Sequence, residues 1–234
     1  MSGILYLFPT QLGDSELTNI LPDFNIKLIS EIKYFIVEDV RTARRFLKKC
    51  NQDINIDEIV FFVLNKHTQQ SELQTFIEPL KQGIDVGLLS EAGCPAIADP
   101  GADIVAIAQS KNIKVVPLVG PSSILLSLMA SGFNGQNFAF NGYLPVQEQD
   151  KVKILKIFEK RIYQDNQTQI FIETPYRNNK LLQDIIKYCQ PEIKLCIAAD
   201  ITTKDEYIKT NSLSNWKNKL PDLQKRPCIF LLYK

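Results

Sequence analysis

Apolar residues along this chain fall into two alternating rhythms. Short runs rich in Ile, Val, Leu and Phe, at residues 4–8, 34–37, 59–64, 86–89 and 114–118, predict strands. Between them, residues 40–50, 72–82 and 103–110 place apolar side chains three and four apart and predict helices. Strand and helix alternate, so the first half reads as a parallel or mixed sheet covered on both faces.

The texture changes after "PLVGPSS". A helix of small residues over 122–131 leads into "FAFNGYLP", a charged helix near 151–163, the strand "QIFIE" and a helix over 178–189. Then come "KLCIAAD", "EYIKT" and "CIFLLY". The last three are strand-like with no helical pattern between the first two, which predicts antiparallel pairing. A domain boundary is placed near Val119, giving domains 1–118 and 119–234, with no internal repeat between them.

Composition narrows the function classes. The chain has 234 residues, 45% hydrophobic and 23% charged, enough for a core without covalent staples. A net charge of +1 supplies no global field for nucleic acid or an anionic membrane, so any RNA contact must be local. The start, "MSGILYLFPTQLGD", lacks the basic opening of a signal peptide, and no apolar run approaches the ~20 residues that span a bilayer. The five cysteines (Cys50, Cys94, Cys189, Cys196, Cys228) are odd in number and form no C-x-x-C pair. His67 is the one available imidazole, read as a surface residue at a strand end. Reduced thiols in a cytoplasmic protein are expected, without a metal or membrane partner.

No G-x-G-x-x-G fingerprint, P-loop or G-x-S-x-G elbow occurs, which argues against dinucleotide, nucleoside-triphosphate and serine-hydrolase chemistry. Two loops stand out instead. In "GLLSEAGCPAIADPG" a strand runs into a turn of small residues, with Glu91 as its one carboxylate facing a ligand, able to accept hydrogen bonds from hydroxyls or an amine. In "VPLVGPSSILLSLMASG", Gly120 and Pro121 make a corner, and Ser122 or Ser123 caps a helix. On the residues alone, a ligand pocket and ordinary turns and caps both remain open.

"LYLFPTQLGD", "EDVRTARRFL", "LLSEAGCPAIADPG", "VVPLVGPSSILLSLMASGF", "FAFNGYLP" and "FIETPYRNNKLLQDI" resemble, in order and spacing, the motifs of the bacterial small-subunit rRNA ribose 2′-O-methyltransferase group of the tetrapyrrole methylase superfamily. The resemblance implies two α/β/α domains, S-adenosyl-L-methionine folded in the cleft between them, and a homodimer acting on rRNA of the small ribosomal subunit. Carried onto matching positions, it implies cofactor contacts at Leu12, Glu91, Cys94, Ser122 and Ser123, and at Ile172, Ala198 and Cys228. Methyl transfer is an in-line displacement that needs alignment more than acid–base machinery. A base for a ribose hydroxyl is sought at Glu38, Asp39 or Glu173, all at strand ends in family motifs; Glu38 and Asp39 also read as a charge pair at a helix N-terminus, the reading favoured for Asp39. Arg41, Arg44, Arg45, Lys48 and Lys49 are either phosphate contacts or a solvated helix face.

The pattern also breaks. The group's Asp and Thr in the first loop are here Glu91 and Cys94, its "ES-x-HR" is "ETPYR", its "ARELTK" is "AADITT", and its "KGE" is "KRP". These departures leave the cofactor pocket in place and the acceptor site altered. Methylation of a tetrapyrrole or other small molecule, and a catalytically silent cofactor-binding member, stay as alternatives.

Overall fold

The computed structural model describes residues 2–65 and 68–234, so His67 lies outside the described residues. The chain forms two compact units, Met1–Ser122 and Ser123–Lys234.

The first unit runs β1 (Ile4–Phe8), α1 (Asp23–Ile29), β2 (Tyr34–Val37), α2 (Val40–Cys50), β3 (Val60–Val63), α3 (Gln70–Phe76), α4 (Glu78–Lys81), β4 (Val86–Leu89), α5 (Gly101–Ser110) and β5 (Lys114–Pro117). Its sheet has the order β3-β2-β4-β1-β5, and every strand pair is parallel. Successive side chains of a strand point to opposite faces. Along β2, Phe35 and Val37 therefore enter a core with Leu47 of α2, while Ile36 enters another with Leu80 and Ile104. Phe35 is fully buried, and burial of such a ring is worth about 1.5–3 kcal/mol.

α2 starts where it does because the Asp39 carboxylate accepts from the Thr42 backbone N–H at 2.7 Å, a side-chain cap. The helix expected over 72–82 is two helices. At Ile77 the backbone leaves helical geometry (φ −97°, ψ −2°), and Pro79, without an N–H, sits in the first turn of α4. α1 was not expected from the periodicity; it is only seven residues and buries just Asn25, Leu28 and Ile29.

The second unit runs α6 (Ser123–Ser131), β6 (Phe138–Tyr143), α7 (Glu148–Gln164), β7 (Thr168–Ile172), α8 (Asn178–Tyr188), β8 (Lys194–Ala199), β9 (Tyr207–Ser212), α9 (Leu213–Trp216) and β10 (Cys228–Tyr233). Its sheet has the order β6-β7-β10-β8-β9. β6 and β7 are parallel and β7–β10 is antiparallel, while β10–β8 and β8–β9 are antiparallel as the last three apolar runs predict. α7 and α8 pack on one face through Leu155, Phe158, Leu181 and Ile185. They are also joined by a buried ion pair, Lys151–Asp184, at 2.9 Å. Trp216 of α9 donates its indole N–H to the Leu195 carbonyl at 2.9 Å, which satisfies the polar edge of a buried ring. Among the described residues no helix is long and apolar enough to cross a membrane.

Candidate functional site

In a parallel sheet the loops that follow the strands emerge along one edge, the usual place for ligands in such folds. In the first unit these are the loops after β1, β2, β4 and β5. The β4–α5 loop is pinned to two of them. Thr10 and Gly93 exchange backbone hydrogen bonds of 3.0 and 3.3 Å, so the loop borrows an antiparallel bridge from the chain after β1. The Ser90 hydroxyl, buried, donates to the Gly93 carbonyl. Gly93 has φ +75°, and a Cβ there would lie 3.0 Å from Leu12 Cδ2 and 3.4 Å from the Pro121 carbonyl oxygen. On the other side the Cys94 thiol donates to the Pro121 carbonyl at 3.5 Å. Gly120 allows the β5–α6 loop to approach, since a Cβ on it would stand 2.4 Å from Pro9 Cβ. The candidates Leu12, Glu91, Cys94 and Ser122 thus belong to loops that touch one another.

Past Cys94 the loop folds back through two alanines in left-handed conformation, Ala96 (φ 64°) and Ala98 (φ 55°). Such residues cost of order 1–3 kcal/mol each and persist where surrounding bonds dictate them. Here the dictating group is Asp99, whose Oδ1 accepts from the backbone N–H groups of Ala96 at 3.1 Å and Gly101 at 2.7 Å.

This fold-back overturns one expectation. Glu91 is not the only carboxylate at the loop, because Asp99 returns to meet Glu38 at the end of β2. Burial, the adjacent charge of Asp99 and a side-chain hydrogen bond with it, and the charge of Glu91 together raise the Glu38 carboxyl from 4.5 to about 7. Glu91 is also raised, first by burial; against this, its Oε1 accepts from the Asp39 backbone N–H at 3.2 Å. Asp39 is exposed and lies below the usual carboxylate range because it accepts from the Thr42 N–H and hydroxyl, the capping role. Burial raises the Cys94 thiol, which keeps it protonated.

The basic residues of α2 divide by partner. The Arg44 guanidinium lies 5.8 Å from the Phe61 ring centre, and Lys48 donates to the Gln52 carbonyl at 2.8 Å. Lys49 donates to Gln11 Oε1 and the Ser15 carbonyl, both at 2.9 Å, and so ties down the loop after β1. Arg41 lies near enough to Asp39 to lower its carboxyl. Among the described residues Arg45 makes no ion pair or hydrogen bond.

In the second unit the candidates Ile172, Ala198 and Cys228 occupy one end of the strands β7, β10 and β8. Ile229 is the register partner of both Ile172 and Ala198, and Cys228 pairs with Ala199. Ala198 is fully buried, and burial pushes the Cys228 thiol up to about 12. Ser123 opens α6. Glu173, one residue past β7, is buried, which acts to raise its carboxyl. The Arg177 guanidinium at 2.5 Å and the Thr174 N–H at 2.6 Å outweigh this, and the carboxyl lies below the usual range.

Two of the family departures meet. Asp200 of "AADITT" and Arg226 of "KRP" form an ion pair, with side chains 18% and 26% exposed. Arg226 also donates to the Asp205 carbonyl at 2.7 Å and lies 5.8 Å from the Tyr207 ring centre. Asp99, Thr10 and Pro121 were missed as site residues. The one signal for Asp99 was its place in "DPG", where an aspartate commonly accepts from backbone N–H groups of its own turn.

Comparison with solved structures gives the class. The methyltransferase CobJ matches with a TM-score of 0.65 and 13% identity over 100% of this chain and 95% of that one. Diphthine synthase matches with a TM-score of 0.67 and 14% identity over 99% and 90%. At these identities the likeness establishes the fold, that of the tetrapyrrole methylases.

Sequence relatives give the family. Ribosomal RNA small subunit methyltransferase I of Vibrio cholerae serotype O1 is 31% identical over 208 residues, 88% of this chain and 67% of the relative. The protein of the same name from Bacillus subtilis is 31% identical over 220 residues, 93% and 71% of the two chains. That from Buchnera aphidicola subsp. Schizaphis graminum is 32% identical over 221 residues, 92% and 72%. No family model matches the chain. The chain belongs to the ribosomal RNA small subunit methyltransferase I family, and it is a methyltransferase.

Proposed function

We propose that this protein transfers a methyl group from S-adenosylmethionine to a ribose 2′-hydroxyl of small-subunit rRNA, in the cytoplasm and as a homodimer. The observation that carries the reading is the likeness, across most of both chains, to relatives named for methylating that RNA.

The residues at the sheet edge of the first unit fit the donor. It carries a sulfonium and an ammonium charge, and Asp39, Glu91 and Asp99 supply the opposite sign. The small side chains of Ala92, Gly93 and Cys94 leave backbone groups approachable. Leu12, Glu91, Cys94 and Ser122 would hold it there, and Ser123, Ile172, Ala198 and Cys228 are the candidate contacts of the second unit. When bound, the donor supplies an electrophilic methyl on sulfur. Glu38, poised near neutrality, takes the proton of the acceptor hydroxyl, a role commonly worth 10²–10⁴-fold. Glu173, held ionised by Arg177, serves as a fixed charge rather than a proton acceptor. Leu125 and Met129, one turn apart on α6 and 51% and 78% exposed, suit burial by a second copy.

Ribose-methylation mapping of small-subunit rRNA from cells with and without the gene tests the acceptor. One 2′-O-methyl mark should vanish, and an unchanged map overturns the reading. Calorimetry tests the donor, because absence of S-adenosylmethionine binding removes it. Methyl transfer to a porphyrinoid but not to small subunits would install the small-molecule alternative. Sedimentation equilibrium reads the assembly, with a dimer mass expected.

A further inference from the structure

A pocket of about 220 Å³ opens in the first unit between α2 and the carboxyl ends of β1, β2 and β4. Its apolar floor is Val37, Ala43, Phe46 and Leu89. One wall is cationic, made by Arg45 and Lys49, which lie four residues apart and so on one face of α2. The opposite wall carries Ser90 and Glu91, the first residues of the β4–α5 loop.

We infer that this pocket takes the ribose and phosphate of one nucleotide of the RNA acceptor, with the phosphate on Arg45 and the sugar hydroxyls toward Ser90 and Glu91. The inference rests on the rRNA reading above. Three observations carry it.

The first is sorting by partner. The other four basic residues of α2 each have a neighbour that accounts for their place: a ring, a carbonyl, a loop or the capping carboxylate. Arg45 has none among the described residues, yet its side chain lines the cavity. A planar guanidinium on a cavity wall presents paired N–H donors in the geometry that suits phosphate oxygens.

The second is polarity. Cations stand at one end, and a carboxylate and hydroxyl at the other, with an aromatic and aliphatic floor between. A ribose phosphate has the complementary order: anionic phosphate, the C–H face of the sugar, and its hydroxyls. Because Ser90 and Glu91 begin the loop proposed to hold the donor, a sugar directed to that end is directed toward the transferred methyl.

The third is size. A volume of about 220 Å³ has room for a ribose with its phosphate, the base lying outside.

The test uses the whole protein, purified small ribosomal subunits and a tritiated methyl donor. Arg45→Ala should raise KM for the subunits roughly tenfold, the usual cost of a lost charge-assisted contact. S-adenosylmethionine affinity by calorimetry should be unchanged, and the gap from wild type should narrow as salt is raised. Arg45→Lys should recover part of the loss. Ala43→Leu, which fills the floor without touching a charge, should raise KM as well, again at constant donor affinity. If wild type methylates subunits and both Arg45→Ala and Ala43→Leu match it in KM, the pocket assignment is wrong and the rRNA reading stands. If wild type binds the donor but methylates no subunit, both fall together.

Discussion

Glu38 and Glu173 each follow directly on the carboxyl end of a sheet strand, β2 in the first unit and β7 in the second. What surrounds them is opposite. Glu38 meets Asp99 and Glu91, so burial and like charge push its carboxyl to about 7. Glu173 is more buried still, but Arg177 four residues on and the Thr174 N–H keep it ionised. The position at a strand end decides where a carboxylate is presented. The charge brought up by the neighbouring loop decides whether it can exchange a proton at neutral pH.

The largest expected effect follows from Glu38. Glu38→Gln, nearly isosteric and unable to accept a proton, should lower kcat for RNA methylation by at least ~10²-fold while leaving donor affinity near wild type. Single-turnover transfer of tritiated methyl measures this, and a wild-type kcat would return Glu38 to a structural role. The same variant sharpens the contrast in stability. A carboxyl raised in the folded state binds more protons folded than unfolded. Its contribution is therefore full below about pH 4.5 and is lost as pH rises through about 7. Glutamine cannot ionise, so a Tm series from pH 4 to 8.5 should show the variant gaining on wild type over that window.

Arg177→Met breaks the other side of the comparison. It leaves the Glu173 carboxylate buried without its cation, and a fall in Tm of roughly 5 °C is expected at pH 7.5. Glu173 is held below the usual carboxylate range, so its stabilisation is present above that range and disappears as pH falls through the folded value. The deficit of the variant should accordingly shrink in acid. A deficit independent of pH would show that Arg177 acts through packing.

The smallest effect is a shift without a loss. Asp99→Asn keeps an oxygen for the Ala96 and Gly101 N–H groups but removes the negative charge beside Glu38. The acid limb of the kcat profile should move to lower pH while the plateau is retained. An unmoved limb would assign it to another group.

Much of the scaffold could be read from apolar spacing. β1, β2, β4 and α2 begin and end where the pattern predicts, because their boundaries are set locally by alternation of buried faces and by the Asp39 cap. α1 was not legible because seven residues hold too few periods. The pattern of β6 does not read as a strand. Gly142 at φ 64° and a register shift between Phe140 and Tyr143 interrupt its alternation. In the site, Glu91 and Cys94 stood out because glycine and proline mark their loop. The meeting of Asp99 with Glu38 did not, since it depends on Ala96 and Ala98 turning the chain through a conformation that alanine seldom adopts.

The Asp200–Arg226 pair makes two family departures into one coordinated change. Taken singly, each substitution away from "ARELTK" and "KGE" reads as damage to a motif. Together they exchange one arrangement of charge for another, in which Arg226 also supports the Asp205 carbonyl and the Tyr207 ring. Restoring glycine at 226, the residue the family motif carries, would leave a half-enclosed Asp200 without its cation. The two positions are thus expected to be coupled, so that a graft between family members that carries one segment without the other should lower Tm.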